Sequence, residues 1–181
     1  MTIHAPQFPL PAVRIGRAPI GSPEADLRNY PHVGSSAKCR HAKLLGGASE
    51  ALVTSILNRH GYEVWTGPEG SAFDRLVQVP SRAARVQVKH TSALEKSTYS
   101  FSMTRGYRNT GSGLRPYRTG DFDIAALVVL PLNAVYFTAE KRNRYTVGQS
   151  AIEAAAQHPI DSFEQALADL ARWNSEAEHH D

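Results

Sequence analysis

Apolar residues recur at helical spacing between Lys43 and His60, where Leu45, Leu52, Val53, Ile56 and Leu57 share one face, so the pattern predicts a first helix there. Gly61 is its natural C-terminal stop. Tyr62-Glu63-Val64-Trp65 reads as a short strand, and the turn-rich Gly67-Pro68-Glu69-Gly70-Ser71 follows it. Leu76-Val77-Gln78-Val79 predicts a second strand, Pro80-Ser81-Arg82 a turn, and Ala84 to His90 a third strand. In that third strand Val86 and Val88 point to one face, and Arg85, Gln87 and Lys89 to the other. Antiparallel pairing across the short turn would bring Asp74, Gln87 and Lys89 together.

Further along, Tyr99 to Thr104 alternates as a half-buried strand, whereas Arg105 to Arg118 holds Gly106, Gly111, Gly113 and Pro116 and predicts no long regular element. The nearly continuous apolar run Ile124 to Leu130 is the mark of a strand buried on both faces. Ala134 to Thr138 is its hairpin partner across Pro131-Leu132-Asn133. A last helix starts at Asp161 or Ser162, where Ser162-x-x-Gln165 fits a capping box, and presents Phe163, Ala166, Leu167, Leu170 and Ala171 on one face. Residues 1–40 hold six of the eleven prolines without periodicity and read as a disordered or loosely attached arm. The expected organisation is that arm, one domain over 41–173, and a tail over 174–181.

Composition narrows the class. A chain of 181 residues with 41% hydrophobic content can bury a real core. The single cysteine, Cys39, excludes an internal disulfide framework and suits a reducing cytoplasm. No apolar run approaches the roughly 20 residues of a membrane helix, and no secretory signal pattern is visible, so a cytoplasmic location without membrane attachment is expected. The net charge of +3 is mild, but its distribution is not. Between Pro80 and Arg118 eight Lys/Arg face one acid, Glu95, for a net +7; between Ser150 and Asp181 seven acids face Arg172, for a net −6. That asymmetry points to a polyanion-binding face opposite an acidic one.

The stretch from Asp74 to Gln87-Val88-Lys89 resembles the strand-turn-strand of the PD-(D/E)xK nuclease superfamily, in which an acidic residue precedes a (D/E)-x-K triplet. Upstream, Leu45-Gly46-Gly47-Ala48-Ser49-Glu50-Ala51 resembles the Gly-x-x-Gly-Glu helix start that supplies that family's helical glutamate. Downstream, Tyr99-Ser100-Phe101-Ser102 and Gly120-Asp121-Phe122-Asp123-Ile124-Ala125-Ala126 resemble later strands of the endonuclease branch related to intron-encoded homing enzymes. Phe73 stands where the family proline would be, and Gln87 where its second acid would be, a Q-x-K variant that the homing branch tolerates. The resemblance implies an α/β, restriction-endonuclease-like core, a mixed β-sheet flanked by helices. Between the lysine-bearing strand and the next, Thr91 to Thr98 is too short for much of the helix that many members place there.

It also implies a Mg²⁺-dependent DNA endonuclease, with Mn²⁺ as a substitute cation. Because Mg²⁺ prefers oxygen ligands and keeps several waters, Asp74 is expected as the direct carboxylate ligand, Gln87 as a side-chain carbonyl ligand and Val88 as a backbone carbonyl ligand. Lys89 would position the attacking water, and Glu50 would act through a metal water or orient the lysine. Tyr107 and Tyr117, interleaved with Arg105, Arg108, Arg115 and Arg118, suit phosphate contact and base stacking. Asp121 and Asp123 read as strand-start residues and His90 as a packed one. Two alternatives stay open: a non-cleaving nucleic-acid-binding module with a degenerate site, and a Holliday-junction-resolvase-like enzyme. Whether the protein is a monomer, a homodimer or a higher homo-oligomer is open as well.

Overall fold

Six consecutive buried residues, Ile124–Val129 (β8), form the strand around which the main sheet is built. The structure, a computed structural model, describes residues 26–80, 82–106 and 113–178. Its main sheet has the order β1-β2-β3-β8-β9, with β1 at Val64–Thr66, β2 at Arg75–Val79, β3 at Arg82–Thr91 and β9 at Ala134–Thr138. Only the β3–β8 pair is parallel, so the sheet is mixed as expected. Its side chains alternate between two cores. Ile124, Ala126 and Val128 pack with Val86 and Val88 beneath the helix Ala42–Arg59, here named α2, whereas Ala125, Leu127 and Val129 face the opposite core.

A parallel pair needs a crossover, which is usually helical. Here the described residues of the crossover form strands. Leu94–Glu95 (β4), Thr98–Ser102 (β5), Thr104–Arg105 (β6) and Arg115–Pro116 (β7) lie in the interval, and β5 pairs with β4 and with Arg144–Gly148 (β10) in a second sheet. That second sheet covers the outer face of the first through Tyr99, Phe101, Tyr145 and Val147. Gln149–Gln157 (α3) adds Ile152 to the same core, and Asp161–Glu178 (α4) returns to the α2 side, where Phe163 meets Tyr62 and Phe137 edge to face.

The predicted helices and strands lie within a few residues of the observed ones. Three differences have physical reasons. Ser35–Arg40 forms a short helix, α1, whose Ala37 is buried and whose Lys38 Nζ donates to Ser92 Oγ at 2.9 Å, although the sequence predicted a loose arm to residue 40. The prolines behind that prediction stand almost entirely before residue 26, and only Pro31 falls in the described part. Helix α4 runs to Glu178, into the stretch 174–181 expected as a tail, because no glycine or proline follows Trp173 to stop it. Ser162, expected to cap α4, accepts a hydrogen bond from Phe137 N at 3.1 Å and so ties the helix to β9.

Candidate active site

The chain reaches the site through a close approach. Gly67 N donates to Asp74 O at 2.9 Å, and a Cβ on Gly67 would fall 2.6 Å from Phe73 O, so only glycine lets β1 run beside the residues that deliver Asp74. Asp74 itself stands just before β2, with its backbone N bonded to Val86 O at 2.9 Å on β3. Antiparallel pairing of β2 with β3 therefore sets Asp74 beside the Gln87-Val88-Lys89 triplet, as the pattern of the two strands predicted.

Three polar groups converge there. Asp74 Oδ2 accepts from Val88 N at 2.8 Å and from Gln87 Nε2 at 2.5 Å, and the same Nε2 donates to Val88 O at 3.1 Å. Gln87 is only 4% exposed, so its amide is fixed by these contacts rather than by water. Burial raises the Asp74 carboxyl above the ordinary aspartate range; the Val88 N–H opposes this, and Glu50 adds to it. Lys89 projects from the same strand face. Its Nζ donates to Thr104 O at 2.9 Å and lies 5.1 Å from the centre of the Tyr117 ring. Burial pulls its ammonium below the ordinary lysine range, and Asp74 partly restores it.

Glu50 reaches the same cleft from α2 but is not free. Arg75 Nη1 lies 2.9 Å from Glu50 Oε2 and donates to Asp74 O at 2.8 Å, while Arg75 Nε bonds Thr54 Oγ1 at 2.9 Å. This nearly buried arginine thus fastens the helix glutamate to the backbone of the candidate ligand strand. Sequence reasoning missed Arg75; an arginine opening an apolar strand, one residue after the key acid, was the available signal.

The cleft enclosed by these groups measures about 580 Å³ and is lined as well by Arg105 and Tyr117. Tyr117, whose place among the arginines suits base stacking, is a half-buried wall of the cleft, edge to face with Phe122 at 5.4 Å, and burial beside Asp74 pushes its phenol up to about 12. His90 lines the cleft with its imidazole lowered by burial, beside the charged Lys89. Asp123 is placed at the head of β8, where its carboxylate takes the backbone N, Nε and Nη2 of Arg85 at 2.8, 3.0 and 3.1 Å. That latch locks the start of the parallel pair and agrees with a strand-start role. Arg105 and Arg115 are register partners on the β6–β7 ribbon, and Arg118 lies just beyond it. Tyr107 and Arg108 lie outside the described residues.

The donor set can be tested against a hard cation. Among the described residues no group of three or more His, Cys, Asp or Glu side chains is placed to hold a metal, so any cation must use amide and carbonyl oxygen as well. Such oxygen is at hand. The positive end of the Gln87 amide occupies the point where Asp74 Oδ2 and Val88 O converge, and turning the amide over would offer Oε1 to that point instead. One carboxylate and two neutral oxygens with room for water suit Mg²⁺ or Mn²⁺ and do not suit a soft, sulfur-seeking metal.

A family model described as PD-(D/E)XK endonuclease matches residues 40–166. The chain belongs to this endonuclease family. Among solved structures, that of a bacterial homing endonuclease, I-Ssp6803I, aligns with a TM-score of 0.50 at 21% identity, over 58% of this chain and 76% of that one. The likeness bears on the fold, and the mixed sheet flanked by helices agrees with it. No curated protein matches the chain. As a PD-(D/E)XK endonuclease the chain is a nuclease, of a family whose members are generally dependent on divalent metal.

Proposed function

We propose that this endonuclease hydrolyses phosphodiester bonds of DNA, with Mg²⁺ as its cation and Mn²⁺ as a substitute. The observation that carries the reading is the convergence of the Asp74 carboxylate, the Gln87 amide and the Val88 carbonyl in one cleft with the Lys89 ammonium. Asp74, Gln87 and Val88 would hold the cation, and Glu50 would contribute through a water. When bound, the cation lowers the pKa of a water and offsets charge on the scissile phosphate. Lys89, whose Nζ donates to Thr104 O, would orient the attacking water and stabilise negative charge that grows on the phosphate oxygens. Tyr117 and the β6 strand keep bulk water from Lys89, which strengthens its field on whatever anion enters. Arg105, Arg115 and Arg118, with Tyr107 and Arg108, would contact the DNA backbone. The lone cysteine suits a cytoplasmic setting, and among the described residues no helix is long and apolar enough to cross a membrane.

Nicking of supercoiled plasmid at low salt with added Mg²⁺ tests the reading. Asp74→Asn keeps an acceptor for Val88 N and Lys89→Met keeps the bulk, so both variants should fold. Each is expected to lose about 100-fold or more in cleavage rate, the scale on which removal of one preorganised electrostatic group acts. Two variants that nick at the wild-type rate would defeat the assignment.

A further inference from the structure

Tyr117 also lines a second cavity, of about 170 Å³, together with Arg118, Phe122, Lys141, Arg142 and Asn143. It lies below the several hundred cubic ångströms typical of drug-sized ligands and suits a single tetrahedral oxyanion with its waters. Its chemistry is cationic. Lys141 Nζ donates to Asp123 O at 2.5 Å and stands 4.1 Å from the centre of the Phe122 ring. Among the described residues no carboxylate lies within ion-pair distance of that ammonium. The neighbouring acids are engaged elsewhere: Asp123 by Arg85 and Arg82, Glu140 by Arg142, and Asp121 by Arg105 and the backbone N of Arg118.

Lys141 is exposed as a residue, but its ammonium is held against a backbone carbonyl and a ring, with no carboxylate partner among the described residues, and partly covering such a cation carries a cost that solvent only partly offsets. Burial accordingly brings Lys141 down to about 8; Asp123 opposes the shift, and Arg85 and Arg82 add to it. An anion in the cavity would remove that cost.

We propose that this cavity is a subsite for a backbone phosphate of the substrate strand, separated from the scissile phosphate by the Tyr117 side chain, with Lys141 as its main donor. The proposal rests on the nuclease reading above. Tyr117 lines this cavity, the active-site cleft and a third hollow of about 480 Å³ carrying Arg105, Arg115 and Arg118, so the three depressions adjoin one another at this side chain. A strand passing over Tyr117 could meet Lys89, beside its ring, in the cleft and Lys141, beside Phe122, in the cavity.

Full-length wild type, Lys141→Met and Lys141→Arg, titrated with a fluorescent duplex oligonucleotide in EDTA over a range of salt, test this. Lys141→Met should lower the slope of log affinity against log salt by about 0.9, one phosphate contact, while Lys141→Arg should keep the wild-type slope. The charged neighbours that face Lys141, namely Asp123 from β8, Arg82 and Arg85 from β3, and Arg118 and Arg142 around the cavity, stay the same in all three proteins. Between pH 7 and 9 the affinity of wild type relative to Lys141→Arg should therefore fall about tenfold, because an amine titrating near 8 must take up a proton to bind and a guanidinium need not. Wild-type slope in Lys141→Met, or a pH-independent ratio to Lys141→Arg, overturns the subsite and leaves the nuclease reading standing. A wild type that binds no duplex removes the nuclease reading itself. Inorganic phosphate that protects wild type against heat but leaves its duplex affinity and slope equal to those of Lys141→Met would assign the cavity to a free anion and overturn the proposal.

Discussion

At the scale of single residues, Gln87 gives its amide N–H groups to Asp74 and Val88, so the oxygen that a hard cation needs faces away until the amide turns over. Gln87→Glu removes that donor and sets a second carboxylate beside Asp74. Without metal this variant should lose roughly 1.5–3 kcal/mol of stability, the scale of a hydrogen bond to a charged group, and like-charge repulsion adds to the loss. With Mg²⁺ it should bind more tightly than wild type and cut at a lower metal optimum, because anionic oxygen suits the cation better. Gln87→Leu supplies no oxygen and should need far more metal. Calorimetric Mg²⁺ titration of the three proteins, with thermal unfolding alongside, checks this, and equal affinities would remove Gln87 from the ligand set. The position of Gln87 was legible in the sequence because strand alternation fixes which side chains share a face. The direction of its amide was not, since both ends of a glutamine read alike. Arg75 and the wall-forming role of Tyr117 were hidden for another reason: their partners Glu50 and Lys89 are distant in sequence, and no local spacing announces such contacts.

At the scale of elements, the β6–β7 ribbon sets Arg105 directly opposite Arg115. Like charges in that register destabilise a ribbon, and Asp121, 3.6 Å from Arg105, offsets only part of this. Arg105→Gln combined with Arg115→Gln should therefore leave thermal stability unchanged or raised, while lowering the salt slope of duplex binding by about 1.8, two phosphate contacts. Anisotropy titrations and a melting curve read both outcomes, and an unaltered slope would make the ribbon a bystander. Among the described residues of this segment only the two-residue strands β6 and β7 form, in keeping with its glycines and proline. Strand β10 and helix α3 escaped notice although Tyr145 and Val147 alternate with polar neighbours, because one short alternation without a turn signal on either side is weak until its partner β5 is known.

At the scale of the whole molecule, the sheet depends on the Asp123 latch between β3 and β8. Burial pushes the Asp123 carboxyl up, but its bonds to the Arg85 side chain and backbone outweigh that and hold it below the ordinary range. A carboxyl lowered in the folded state contributes stability that is present above its unfolded value and is lost as pH falls through the folded one. Asp123→Asn should thus cost about 1.5–3 kcal/mol near neutrality, and its stability should fall less than that of wild type as pH drops below 4, as acid-series unfolding curves would reveal. The mixed sheet flanked by helices was legible from the chain's periodicities and family resemblance. The strand-built crossover was not, because helix length could be excluded from Thr91 to Thr98 but the pairing of β5 with a strand beyond β9 is a long-range choice.

That pairing makes the active site a late product of the chain. Every atom expected to hold the cation lies before residue 90, yet Met103 N is pinned by Asn143 O, and the neighbouring Thr104 carbonyl is the one that Lys89 leans on. A nascent chain stopped short of β10 would carry the full set of ligands and no seam to close the wall behind the lysine. The stretch from Asn143 onward, which contributes no ligand, would act as the safety catch that keeps an unfinished nuclease inert.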